Sequence, residues 1–187
     1  MKGWTYCWRA IGGAATLLLD ACTAPPPPIQ VPVAEPILPP PTDAFAVQVL
    51  GLHNEERAEV GAPPMQWDPA LADAAAAYAA DLTRIGMLRH SARETRPGQG
   101  ENLWMGTRRG FTPWLMVGSW SSEKSRFRPG VFPDVSNTGN WVTVGHYTQM
   151  IWRGSTRLGC AIRSSARDDF LVCRYASAGN VLGMRVP

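Results

Sequence analysis

At 187 residues, with 45% hydrophobic and 18% charged residues, the chain has material for one ordinary domain plus flanking segments. The formal net charge is only +3, and the basic residues are scattered rather than gathered into a stripe, which argues against nucleic acid as a partner. Eight tryptophans supply large rigid groups for a packed core.

Residues 1–22 read as a secretory signal: Lys2 and Arg9 precede an uncharged, mostly apolar run from Ala10 to Leu19. That run is well short of the roughly 20 residues needed to span a bilayer. Leu19-Asp20-Ala21-Cys22 resembles the bacterial lipobox, whose cysteine is lipidated, although Asp20 departs from it. Lipidation at Cys22 would anchor the protein in a bacterial membrane; the alternative is ordinary cleavage nearby and release. Residues 23–41 form a spacer in which nine prolines remove backbone donors and fix φ. In polyproline geometry its 18 residues from Ala24 would reach about 55 Å.

Residues 42–187 are the expected domain. Phe45, Val49 and Leu52 recur at helical spacing up to Gly61-Ala62-Pro63-Pro64, which stops a first helix. Asp68-Pro69 opens a second, carrying Leu71, Ala75, Tyr78, Leu82 and Ile85 on one stripe and ending at Gly86. Thr112-Pro113 opens a third, with Leu115, Val117 and Trp120 among its apolar positions. Beyond Trp141 the runs HYTQMIW, RLGCAIR and FLVCRYA are rich in β-branched and aromatic residues and read as adjacent antiparallel strands. The last two would be joined by a loop at Ser164 to Asp169. With Cys7 removed and Cys22 lipidated, Cys160 and Cys173 remain as a disulfide pair suited to an exported protein. Helices beside a small antiparallel sheet make an α+β domain.

Five stretches in order resemble the CAP superfamily, the cysteine-rich secretory, antigen 5 and pathogenesis-related 1 domain. They are HNEERAEVGAPPMQWDPAL from His53, HS at His90, GENLW from Gly100, GHYTQMIWRGST from Gly145 and FLVCRYASAGNV from Phe170. The last departs from the pattern at Ser177, where proline is usual. The short segment between Phe127 and Trp141 is similar to the pathogenesis-related 1 type. The resemblance implies a three-layer α-β-α sandwich and an open cleft lined by His90, Glu101, Glu123 and His146.

Two imidazoles and two carboxylates make a mixed donor set that suits zinc better than calcium or magnesium. Separations of 11, 22 and 23 residues put the four on different elements, so only the fold can unite them. The resemblance implies a monomeric exported protein, extracellular or at the cell envelope, that binds a divalent metal and a lipid, sterol or other envelope ligand. The alternative is a metal-dependent, peptidase-like hydrolase with Glu101 or Glu123 as general base. Ser91 beside His90 suggests a nucleophile and base, but sequence neighbours normally point apart. Asn54 and Arg57 are expected to tie the first helix to loops, and Asn102 to fix a loop carrying Glu101. His146 and Thr148 should alternate with Tyr147 and Gln149 along a strand entered at Gly145.

Overall fold

The computed structural model describes residues 37–187; the signal segment, Cys22 and the spacer up to residue 36 lie outside the described residues. Helix α1 (Ala44–Glu59) starts where Asp43 accepts a hydrogen bond from the Ala46 amide. Its inward stripe is Ala46, Val49, His53 and Arg57, with Phe45 and Leu52 partly buried beside it. Strand β1 (Gln66–Trp67) leads to α2 (Pro69–Ile85), capped by Asp68 and closed by Gly86 at φ 75°. Strand β2 (Gln99–Thr107) and helix α3 (Pro113–Ser121) follow, then the short β3 (Gly130–Val131) and α4 (Gly145–Met150). The chain ends with β4 (Arg157–Ser164), β5 (Asp168–Ala176) and β6 (Arg185–Val186).

The main sheet has the order β1-β4-β5-β2 and is antiparallel except that its edge strand β1 runs parallel to β4. Strand alternation splits its side chains between two layers. Leu103, Ala161, Phe170 and Val172 face α2. Leu158, Cys160, Leu171, Cys173 and Tyr175 face α1 and α3. This is the expected α-β-α sandwich. Cys160 and Cys173 stand opposite each other in the β4–β5 register and are disulfide-bonded. A smaller pair, β3 with β6, packs Val186 with Phe132 against Tyr147 and Ile151. Among the described residues no helix is long and apolar enough to cross a membrane.

Four local expectations need correction. HYTQMIW is not a strand: Gly145–Met150 forms α4. Tyr147, Thr148, Gln149 and Met150 are all buried, and a short run buried on every side carries no period that separates helix from strand. The third long strand is instead β2, so Glu101 and Asn102 sit on a strand rather than a loop. Leu115 is 45% exposed, and Met116 takes the inward place on α3. The β4–β5 loop is only residues 165–167, because the Ser165 hydroxyl accepts from the Arg167 and Asp168 amides and tightens the turn.

Candidate functional site: a cleft with two histidine–glutamate pairs

His90 follows α2 and Glu101 lies on β2. His90 Nδ1 donates to Glu101 Oε1 at 2.7 Å. The same carboxylate accepts from the Ser91 amide (3.0 Å) and hydroxyl (2.9 Å). Arg174, its partner across the β2–β5 ladder, approaches Oε2 at 3.1 Å. Burial alone would push the Glu101 carboxyl up, but His90, Arg174 and the Ser91 donors together hold it below the usual carboxylate range. Ser91 and His90 therefore converge on one acceptor instead of pointing apart, and the Ser91 hydroxyl is engaged by Glu101 rather than by His90.

The second pair repeats the geometry on different elements. His146 Nδ1 donates to Glu123 Oε1 at 2.7 Å. Glu123 Oε2 accepts from the backbone amides of His146 and Tyr147, both at 3.0 Å. Those amides belong to the first turn of α4, which lacks a local side-chain cap. Glu123, 23 residues upstream, supplies it. Trp120 stacks on the His146 ring, 5.9 Å between centroids and 13° between planes.

A cleft of about 740 Å³ is lined by His90, Glu101, Asn102, His146 and Gln149. Glu123 does not line it and lies behind His146. The structure thus gathers three of the four predicted residues around one space and sets the fourth as a prop. Both histidines present Nε2 with no hydrogen-bond partner among the described residues, because Nδ1 of each is committed to a carboxylate. These are the atoms available to a metal. No group of three or more His, Cys, Asp or Glu among the described residues is arranged to hold an ion directly.

The floor continues into the core. Asn102 Nδ2 donates to the His146 carbonyl (3.1 Å) and to the Tyr175 hydroxyl (3.0 Å). The Tyr175 hydroxyl reaches His53 Nε2 (2.9 Å), and His53 Nδ1 reaches the Val49 carbonyl (2.8 Å). Since that carbonyl can only accept, Nδ1 carries the proton and the tyrosine hydroxyl donates to Nε2. Arg57, fully buried, donates to the carbonyls of Pro63, Met150, Trp152 and Ser155. Asn54 pairs with both backbone groups of Met65, so both helix residues tie α1 to loops as expected. Gln149 bridges the Ser155 hydroxyl and the Gly179 amide. At the family departure, the Ala176–Ser177 peptide is cis, the Ser177 carbonyl accepts from Ser155, and its hydroxyl donates to the Gly154 carbonyl.

The functional residue that sequence reasoning missed is Arg174. Its signal was present: a charged residue at an inward position of FLVCRYA breaks the apolar alternation, and a buried charge calls for a partner.

Residues 50–175 match the family model described as CAP, Cysteine-rich secretory protein family. The chain belongs to this family. Among its relatives, pathogenesis-related protein 1 of Arabidopsis thaliana is 39% identical over 132 residues, 70% of this chain and 75% of that protein. Pathogenesis-related protein 1C of Nicotiana tabacum is 36% identical over 135 residues, 72% and 76% of the two chains. Repressed by EFG1 protein 1 of Candida albicans is 35% identical over 150 residues; the match spans 76% of this chain but only 49% of that longer protein. Among solved structures, that of NaASP2 with Zn2+ superposes with a TM-score of 0.64 at 24% identity, covering 79% of this chain and 88% of that one, and confirms the CAP fold.

Proposed function

We propose that this CAP protein is exported, tethered by lipid at Cys22, and that its cleft binds a divalent metal, best zinc, together with a lipid or sterol ligand. The observation that carries the reading is the matched pairing of His90 with Glu101 and His146 with Glu123, which commits Nδ1 of both imidazoles to a carboxylate and leaves Nε2 of each beside one cleft. A carboxylate on Nδ1 is how metal-ligating histidines are usually oriented. His90 and His146 are then the ligands, with water or substrate filling the remaining positions, and the two glutamates orient them. The metal would supply Lewis acidity at the cleft floor. Trp141, Val142, Val181 and Leu182 line the rim with exposed apolar surface, which favours a ligand with an apolar body. Export is supported by the basic-then-apolar start of the sequence, by the disulfide, and by similarity to a Candida albicans relative named Secreted protein RBT4.

Calorimetric zinc titration of the full chain tests the metal. Wild type should bind one equivalent, whereas His90→Ala/His146→Ala should not; equal binding by both would remove the site. Saturable uptake of a fluorescent sterol or fatty acid, weakened by Leu182→Asp, tests the ligand. The hydrolase reading asks for a carboxylate that can take a proton from water. Both oxygens of Glu101 and both of Glu123 are filled by donors, and the Glu101 carboxyl is held low, so binding is preferred. Peptide or peptidoglycan cleavage abolished by a chelator and by His146→Ala would reverse that preference.

A further inference from the structure

Just beyond β2, beside the β4–β5 turn, Phe111, Trp114 and Leu115 are 44%, 58% and 45% exposed. Such residues singly need no explanation, but three within five positions, in the turn after β2 and the first turn of α3, form a patch. The patch is rigidly built. Phe111 packs edge-on against Trp104, 5.1 Å between centroids, over Gly106, where an added Cβ would meet the Trp104 ring at 2.4 Å. The Arg108 amide donates to the Arg167 carbonyl (2.8 Å) and the Arg109 amide to Asp169 Oδ2 (2.7 Å), which pins the turn that carries Phe111. The Thr112 hydroxyl then caps α3, setting Trp114 and Leu115 in its first turn.

Cations flank this surface on one side, Arg108 and Arg109 in the same turn and Arg167 in the turn bonded to it. Among the described residues the guanidinium groups of Arg108, Arg109 and Arg167 make no hydrogen bond or ion pair. The nearby acids are Asp168 and Asp169, and Asp169 is buried and engaged by Arg109 and Ser164. Exposed indole and phenyl rings flanked by unpaired arginines are the composition that suits a water–lipid boundary carrying negative charge. A scattered net charge of +3 offers no stripe that would favour nucleic acid.

We infer that the turn at residues 108–111 with the first turn of α3 is a docking surface for an anionic phospholipid bilayer, with Trp114 entering the interface and Arg108, Arg109 and Arg167 meeting the headgroups. This surface is separate from the cleft and does not depend on metal binding there.

The test uses the full chain with vesicles of phosphatidylcholine containing phosphatidylglycerol, part of whose acyl chains are brominated to quench tryptophan. Wild type should show quenching that the Trp114→Phe variant loses, a comparison that cancels any contribution from the N-terminal segment. Arg108→Glu/Arg167→Glu should weaken vesicle binding at least about tenfold at low salt, and raising ionic strength should weaken wild type in the same direction. Equal quenching in wild type and Trp114→Phe, or no difference between anionic and pure phosphatidylcholine vesicles, would overturn the inference. So would capture of an acidic protein that protects Trp114 while vesicles leave it unquenched.

Discussion

Arg174 reaches across the β2–β5 ladder to Glu101, Nη2 to Oε2 at 3.1 Å, with 5% and 0% of the two side chains exposed. The pair is buried directly beneath His90, so the charge that holds that imidazole is itself neutralised from the opposite side. Removing one partner leaves a buried charge uncompensated. Arg174→Met should therefore cost about 3 kcal/mol in urea unfolding, the low end of the usual range because Ser91 and His90 still donate to the carboxylate and Arg96 Nε stays 3.9 Å from it. The double variant Arg174→Met/Glu101→Leu should recover most of the loss; a double variant as unstable as the single would show that packing, not charge, is at stake.

His53 makes stability depend on pH. Burial, against the Val49 hydrogen bond and aided by Arg57, pushes its imidazole from 6.5 down to about 4. Between those values the unfolded chain takes up a proton that the fold refuses, so stability falls on acidification. The loss from His53 should approach about 3 kcal/mol across that window, complete near pH 4 and absent above pH 7. Denaturant midpoints measured from pH 7.5 to 4.5 should follow it. His53→Asn should be less stable throughout, through its lost bonds to Val49 and Tyr175, but flatter with pH.

Two glycines should respond with opposite sign. A Cβ at Gly159 would sit 2.2 Å from the Ala72 nitrogen and 2.6 Å from the Asp68 oxygen, the backbone where α2 crosses β4. Backbone cannot rotate aside, so Gly159→Ala should cost about 3 kcal/mol or more. Gly51 lies inside α1 with nothing near its missing Cβ, and Gly51→Ala should stabilise by about 1 kcal/mol. Calorimetric melting of both variants provides the comparison.

Helix α1 was legible from the spacing of Phe45, Val49 and Leu52 and its stop at Gly61, α2 and α3 from their capping side chains followed by proline, and α2 also from its stop at Gly86, all signals held within a few residues. β4 and β5 were legible from their β-branched runs, and their cysteines predicted the staple between them. α4 was not, since its cap is Glu123, brought from 23 positions away by the fold. β2 was hidden for a related reason: GENLW alternates between two buried layers, so its faces differ in partner rather than in polarity. The cleft residues were read from the family resemblance, and no local spacing in the chain would have united them.

The disulfide links strands already paired, and its loop spans a sequence separation of 13. In the chain-entropy model this closure contributes about 3 kcal/mol. Cys160→Ala/Cys173→Ala should therefore melt about 10 °C lower than wild type. Retained zinc stoichiometry in that variant would show the cleft floor to be independent of the staple.

The two sides of the cleft differ in how freely they can change. On the floor, Asn102 holds the His146 carbonyl and Tyr175, and through Tyr175 reaches His53, so an alteration there is felt in the core. On the rim, Val142, Val181 and Leu182 stand 60%, 45% and 74% exposed. Substitutions on this side cost the fold little. Such a cleft can acquire a new ligand by drift along one wall while the paired imidazoles opposite are inherited unchanged with the fold.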